Sequence, residues 1–135
     1  MAENKEKKLT IERAKWSPVS EKNISLALGT ATLNDIKEQV KNGAYLFNVF
    51  NNDVVVCSFV LRVDNFSDRS EGVIVAAGGD CENIDLTMSV VPVIEKMFIN
   101  CKTIRCHTAR AGLTKKMERM GYSVQEIVLT KTLGE

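Results

Sequence analysis

The chain has 135 residues, of which 44% are hydrophobic, and its formal net charge is +1. That length supports one hydrophobic core and is too short for two domains of ordinary size, so we expect a disordered leader over residues 1–8 and a single domain over 9–135. The nearly balanced charge argues against whole-molecule attraction to nucleic acid or to an acidic membrane surface, and no apolar run approaches the roughly 20 residues that cross a bilayer.

Four cysteines are scattered along the chain: Cys57, Cys81, Cys101 and Cys106. Their spacing matches neither a disulfide framework nor the paired ligands of a closed zinc site. We therefore expect free thiols, no bound metal and a cytoplasmic protein.

The first third of the chain predicts a strand followed by two helices. Residues 9–16 mix strand-forming residues with charges and end at Ser17-Pro18, a pair that stops a strand and can open a helix. From 21 to 43 apolar residues recur at helical spacing, with an interruption around Gly29-Thr30. Two short helices fit this pattern, with Thr32 or Asn34 capping the second and Gly43 ending it.

A hairpin follows, and then a buried strand. Residues 44–50 and 54–63 are apolar and aromatic runs separated by Asn51-Asn52-Asp53, a sequence that tolerates the left-handed backbone of a tight turn. Residues 72–77 are short and almost entirely apolar, as in the interior of a sheet.

The last third predicts a helix between two strands, then a short helix and a final strand. Residues 84–99 are apolar around most of a helical wheel, and Pro92 either kinks this helix or opens a shorter one near Val90. Strands are predicted at 102–108 and 122–133, with a helix ended by Gly121 between them. Strand-helix-strand crossovers join parallel strands, so we expect an α/β (α+β) fold whose mostly antiparallel sheet contains one parallel pair, 72–77 with 102–108.

The segment 76–83 is the strongest candidate in the sequence for a ligand-binding site. Its paired glycines would let backbone amides approach closely, and the following helix offers unpaired N–H groups and a partial positive charge suited to phosphate. The same residues also fit a tight turn with a helix cap, because Asp80, Glu82 and Asp85 place carboxylates where an anion would bind.

This order of elements resembles the GNAT superfamily of acyl-coenzyme A dependent N-acyltransferases. The closing part of the chain adds to the resemblance: residues 103–108, Gly112-Leu113, the Gly121-Tyr122 pair and 128–133 are similar to that family's strand, helix, Gly-aromatic pair and terminal strand. The resemblance implies acyl transfer from acetyl-CoA, as co-substrate, to an amine acceptor, with helices on both faces of the sheet.

The resemblance also implies where the coenzyme lies, with its pantetheine along the strand 72–77 and its pyrophosphate at the amides of the turn that follows. The coenzyme-binding residues predicted in this way are Val75, Ala76, Ala77, Gly78, Gly79, Asp80, Cys81, Glu82 and Asn83. Two family features are replaced: Val75 stands where the coenzyme loop usually has Gln or Arg, and Met117 stands where a tyrosine often protonates the departing thiolate.

Direct attack by an amine requires a base, and two residues are candidates. Glu71 lies at the start of the 72–77 strand, and His107, the single histidine, lies at the end of the parallel strand. His107 also fits a ring that merely finishes a strand and bonds a carbonyl.

Three alternatives stay open at this point. A GNAT-like domain that has lost coenzyme chemistry would serve as a binding or structural protein, as small bacteriophage-encoded members of the fold do. The basic residues between 102 and 119 could hold the adenosine phosphate of a coenzyme or contact nucleic acid, although no stacking aromatic interleaves them. The final strand could also pair with a second chain to form a homodimer.

Overall fold

The protein forms one sheet of five strands with four helices, seen in a computed structural model that describes residues 9–29, 31–108 and 110–134. The predicted leader, 1–8, lies outside the described residues. The elements, in chain order, are β1 (Leu9–Arg13), α1 (Pro18–Ser25), α2 (Leu33–Lys41), β2 (Tyr45–Asn51), β3 (Val54–Asn65), β4 (Ser70–Gly79), α3 (Leu86–Met97), β5 (Thr103–Cys106) and α4 (Ala111–Arg119).

The order of the strands in the sheet follows their order in the chain. β1 to β4 are joined in antiparallel pairs, and β5 pairs with β4 in parallel. The predicted hairpin is confirmed, with Asn52 at the turn in the left-handed region at φ 58°. The parallel pair is confirmed as well, because α3 carries the chain back across the sheet between β4 and β5.

Local sequence explains where α1 and α2 begin. Ser17 caps α1 by accepting the Ser20 N–H, and Pro18 follows at the first helical position. Thr32 caps α2 by accepting the Asp35 N–H, as one of the two sequence alternatives predicted. The Thr32 cap ends the interruption after α1 and makes α2 a separate short helix.

Helices cover the sheet on both faces, as predicted. One core lies between α3 and the sheet, with Phe59, Leu61 and Ile94 buried in it. The other lies under α1 and α2 and is centred on Ile24, Ile36 and Val60. β3 alternates its side chains between these two cores, which is why it is apolar along most of its length.

One extra residue in β4 changes the course of that strand. Val60 of β3 pairs with Ala76 and Leu61 pairs with Ile74, so Val75 has no partner opposite it. Such a β-bulge bends the strand and increases its local twist. Ile74 is also the last residue of β4 that pairs with β5, so the bulge lies at the point where the two parallel strands part.

Two predicted elements differ in the structure. The predicted loop 76–83 is strand up to Gly79, because Phe59, Ser58 and Cys57 of β3 pair with Ala77, Gly78 and Gly79. The predicted final strand over 122–133 is wrong: this segment is neither helix nor strand. A strand needs a neighbouring backbone to bond with, and beyond Tyr122, whose N–H bonds to the Met117 carbonyl, none of the described residues supplies one to this segment.

Candidate active site

The C-terminal half of β4 has one free edge. β4 pairs with β5 only from Glu71 to Ile74, whereas on its other side it pairs with β3 as far as Gly79. Within the described chain no strand covers the backbone of residues 75–79 on the β5 side. An extended ligand that carries amide groups could bond to this edge as an added strand does.

The two glycines at the end of β4 are required by contacts within the protein. A β-carbon on Gly78 would collide with the carbonyl oxygen of Asn23 at the end of α1. A β-carbon on Gly79 would lie 2.6 Å from Cα of Cys57 and would collide with the Val56 carbonyl oxygen. Packing of α1 and β3 against β4 thus accounts for the absence of side chains at these two positions, and contact of their backbone with a coenzyme stays a prediction.

A cavity of about 500 Å³, wide open to solvent, lies at the far end of the free edge and touches it at Gly79. It is lined by residues 79–81 and 83–87 and by Lys116 from α4. Of the predicted coenzyme-binding residues, Asp80 donates its N–H to the Val56 carbonyl at 2.9 Å, and Asn83 turns the chain with a positive φ of 63°. The cavity thus lies at the N-terminus of α3, where helix N–H groups are available.

A carboxylate already occupies part of that N-terminus. Asp85 caps α3 by accepting the Met88 N–H at 3.1 Å, and its second oxygen lies 3.0 Å from Nζ of Lys116. The Lys116 ammonium, followed by the Met88 amide, lowers the pKa of Asp85. An incoming phosphate would therefore meet one cation and one anion, and it would compete with Asp85 for Lys116.

The sequence placed Lys116 among the basic residues between 102 and 119 that could hold a coenzyme phosphate or contact nucleic acid. Nothing local distinguishes Lys116 from its neighbour Lys115. The contact with Asp85 joins residues 31 positions apart, so it depends on how α4 packs beside α3.

Glu71 lies at the opposite end of the parallel pair and is fully engaged. Its Oε1 forms an ion pair with Nη1 of Arg105 at 2.9 Å, and its Oε2 accepts the Thr103 hydroxyl at 2.9 Å. Asp64 extends this network, because its two oxygens bind Arg62 at 2.7 Å and Arg105 at 2.9 Å. The network ties β3, β4 and β5 together where the three strands run side by side.

Acid should weaken this network through Asp64. The hydrogen bond from Arg62, with a smaller contribution from Arg105, lowers the pKa of Asp64, so its stabilising effect is complete above the unfolded-state pKa of about 3.9 and is lost as the pH falls through the lower folded value. We expect Asp64→Asn to reduce the free energy of unfolding by about 1 kcal/mol at pH 7 and to abolish part of the fall in stability between pH 7 and pH 3. Urea unfolding at both pH values measures this.

Asp68→Asn is the matched control. Asp68 also forms an ion pair, with Arg69 at 2.9 Å, but its side chain is 68% exposed and the pair joins adjacent residues. This control should change stability by less than about 0.5 kcal/mol. Equal losses in the two variants would contradict the assignment of the network to Asp64.

His107 and Glu71 are not brought together. His107 follows β5 directly and is exposed, and because Cys106 pairs with Ile74, His107 lies beside the start of the free β4 edge. Glu71 pairs with Thr103, which lies three residues, or roughly 10 Å, before the Cys106–Ile74 pair along the two strands. Of the two candidate bases, only His107 lies at the end of β5 that adjoins the free edge of β4.

The sequence matches no protein-family model and no curated protein. Solved structures do match it. The acetyltransferase of Bacillus subtilis in complex with CoA superposes with a TM-score of 0.68 at 17% identity, over 88% of this chain and 79% of that one. The chain has the GNAT fold.

Two further structures support that assignment over nearly their whole length. A GNAT family acetyltransferase of Staphylococcus aureus matches with a TM-score of 0.60 at 16% identity, covering 93% of this chain and 98% of that one. Glucosamine-6-phosphate N-acetyltransferase of Arabidopsis thaliana matches with a TM-score of 0.62 at 12% identity, covering 94% and 99%. These proteins are acetyltransferases, and one of them holds CoA.

Two residues, one in α4 and one just after it, bear on the tyrosine that the family resemblance would place at position 117. Met117, which replaces the tyrosine expected from the resemblance, is 5% exposed and packs in the interior. Tyr122 donates its hydroxyl to Oε2 of Glu95 at 2.8 Å, and burial and this bond raise the pKa of the phenol. Tyr122 therefore has its proton committed to Glu95.

Among the residues that the structure describes, no helix is long and apolar enough to cross a membrane.

Proposed function

We propose that this protein transfers an acyl group from an acyl-CoA, acetyl-CoA in the first instance, to an amine. The observation that carries the proposal is the free edge of β4 over residues 75–79, which leads into the cavity at the N-terminus of α3. The GNAT fold of the chain and the CoA held by one structural neighbour support it.

In the proposed pose the coenzyme runs along the free edge of β4 towards the cavity at the N-terminus of α3. The amide groups of pantetheine bond to the free backbone of residues 75–79, while the pyrophosphate lies at the N–H groups of the α3 N-terminus with Lys116 beside it. The thioester then lies near Val75, where β4 and β5 part. An N–H of β4 donates to the carbonyl oxygen as negative charge develops on it.

His107 is the proposed base. The acceptor amine attacks the thioester carbonyl carbon, a C–N bond forms as the C–S bond breaks, and the imidazole takes the proton that the amine loses. The coenzyme leaves as a thiolate and takes one proton from solvent water, since Met117 offers none and the Tyr122 hydroxyl is bonded to Glu95.

A binding protein that has lost coenzyme chemistry is the second candidate. The observation in its favour is Asp85, whose carboxylate itself accepts the Met88 N–H at the α3 N-terminus and forms an ion pair with Lys116. In that case Lys116 closes an ion pair between α3 and α4 and has no further role.

CoA binding to three variants separates these candidates. Because Lys116 is the cation nearest the proposed pyrophosphate, we expect Lys116→Gln to weaken CoA binding about tenfold, which corresponds to roughly 1.4 kcal/mol. Asp85→Asn keeps a good helix cap and removes a like charge, so it should strengthen binding severalfold. Isothermal titration calorimetry with CoA measures both changes.

Lys115→Gln is the matched control, since it makes the same charge change at the neighbouring exposed position of α4. It should leave the affinity within about twofold. Equal effects at Lys115 and Lys116 would show nonspecific attraction and contradict the proposed pose. Absence of CoA binding to the unaltered protein at millimolar ligand would leave the binding-protein candidate standing in place of the enzyme.

A further inference from the structure

α4 presents three cations along one side. Lys115, Lys116 and Arg119 fall within an arc of about 100° around the helix axis, because a helix turns once in about 3.6 residues. Lys116 forms the ion pair with Asp85, which caps α3. Lys115 and Arg119 are exposed, and neither forms an ion pair with any residue that the structure describes. These three residues, here called the basic face of α4, therefore carry positive charge that the domain leaves mostly unbalanced.

The basic face of α4 borders the cavity at the N-terminus of α3. Lys116 lines that cavity. Arg119, three residues further on, is its neighbour on the helix surface, and Lys115 is in turn a neighbour of Arg119. A donor that reaches the free edge of β4 through the cavity therefore has its outer part next to this face.

The charges of the cavity suit a phosphopantetheine arm better than a whole CoA. Asp80 and Asp85 line it against the single cation Lys116, and no aromatic side chain lines it to stack on adenine. The nucleotide of CoA brings about four negative charges, shared between its pyrophosphate and its 3′-phosphate. An arm attached to a protein has about one, on its phosphodiester, and no adenine, so the two carboxylates repel it less.

We propose that the acyl donor is an acidic carrier protein, which holds the acyl group as a thioester on a phosphopantetheine arm and docks on the basic face of α4. The inference rests on the proposed function and narrows its donor, with acetyl-CoA as a poorer donor of the same group. The arm enters the cavity past Lys116 and runs along the free edge of β4. The amine nitrogen bonds to the thioester carbonyl carbon as the C–S bond breaks, the amine's proton goes to His107, and the arm's thiolate takes a proton from water.

An acidic protein matches this face better than a nucleic acid does. A nucleic acid backbone is held by many phosphate contacts, and a single strand also needs aromatic side chains on which its bases stack. The basic face covers little more than one helical turn, and α4 contains no aromatic residue. A small acidic patch on a protein has the matching size, and complementary charge then speeds association.

A comparison of three acetyl donors on the full chain tests the proposal. The donors are uncharged acetyl-pantetheine, acetyl-CoA, and an acidic acyl carrier protein whose phosphopantetheine arm is acetylated. Thiol release with a panel of primary amines measures kcat/KM for each donor. We expect the value for the carrier to exceed that for acetyl-CoA at least about tenfold at low salt. The carrier should lose most of this advantage at about 500 mM salt, which screens the attraction between the two surfaces.

Lys115→Glu combined with Arg119→Glu should lower kcat/KM for the carrier at least about tenfold, because both charges of the docking surface are reversed. Turnover of acetyl-pantetheine should stay within about twofold, since this donor has no charge, and it shows that the variant folds. The matched control is Lys37→Glu combined with Lys41→Glu, the same reversal at the same spacing on exposed positions of α2. Because α2 covers the other face of the sheet, this control should keep the preference for the carrier.

Several results would overturn the inference. Carrier turnover no faster than that of acetyl-CoA, or a preference that the α4 reversal leaves intact, would do so while the proposed function stands. Equal losses in the α4 and α2 variants would show attraction by net charge alone. Inhibition of the unaltered protein by a short RNA, lost in the α4 variant, would assign the face to nucleic acid. Absence of transfer from all three donors would contradict the proposed function together with this inference.

Discussion

Gly78→Ala is expected to lower the free energy of unfolding by about 3 kcal/mol, which for a chain of this size lowers Tm by roughly 10 °C. The added methyl group meets the carbonyl oxygen of Asn23, a backbone atom of α1, so no side-chain rotation relieves the collision. Either α1 moves away from the sheet or β4 bends. Thermal and urea unfolding of the unliganded protein measure the loss.

Gly112→Ala is the matched control for Gly78→Ala. Gly112 lies within α4, and a β-carbon there has open space around it. Alanine is the better helix former, so this variant should gain about 0.5–1 kcal/mol. If Gly78→Ala left stability unchanged, the close packing of α1 on β4 would be wrong.

His107→Gln is expected to lower kcat/KM for acyl transfer by about 100- to 10,000-fold, the range that loss of a general base produces. The residue is exposed after the end of β5, so the fold should be unaffected. Release of CoA thiol from acetyl-CoA, measured against a panel of primary amines, reports the rate. CoA affinity should stay within about twofold, because the proposed coenzyme contacts lie on β4 and α3 and not at His107.

The same assay on Glu71→Gln tells the two candidate bases apart. Glutamine removes one of the two charged partners of Arg105 and leaves Asp64, so we expect some loss of stability and less than a tenfold fall in the turnover of the folded enzyme. A larger fall with Glu71→Gln than with His107→Gln would assign the base to Glu71. If the unaltered protein released no thiol with any amine, the proposed acyl transfer itself would be contradicted.

Much of the fold could be predicted because its signals are local. Ser17-Pro18, Thr32 and Asn52 each determine a cap or a turn through their own chemistry, and the order of strands and helices then predicts the parallel pair. Pro92 was ambiguous, and the structure places it within α3, which begins at Leu86 behind the Asp85 cap. The final strand was predicted wrongly because an alternating apolar pattern indicates strand tendency and carries no information on whether a neighbouring backbone exists.

Less of the candidate site could be predicted, because it depends on contacts between distant parts of the chain. The ion pair of Asp85 with Lys116 and that of Glu71 with Arg105 each join elements more than 30 residues apart. The glycines of β4 illustrate the same point. Two adjacent glycines before a helix indicate that other atoms come close to the backbone, but they do not show which atoms these are. The packing of α1 and β3 on β4 identifies protein atoms at this distance.

Because β4 has one residue more than β3 at the Val75 bulge, the opening between β4 and β5 depends on the number of residues in β4 more than on their side chains. Substituting Val75 leaves the count of residues between Ile74 and Ala76 unchanged, so β4 still bends at this point. Deleting it would let Ala76 follow Ile74 directly, so that Ile74 opposite Leu61 and Ala76 opposite Val60 form a regular ladder and the bend is lost. Drift in sequence is thus compatible with an open cleft, whereas a single-codon deletion in this strand is not.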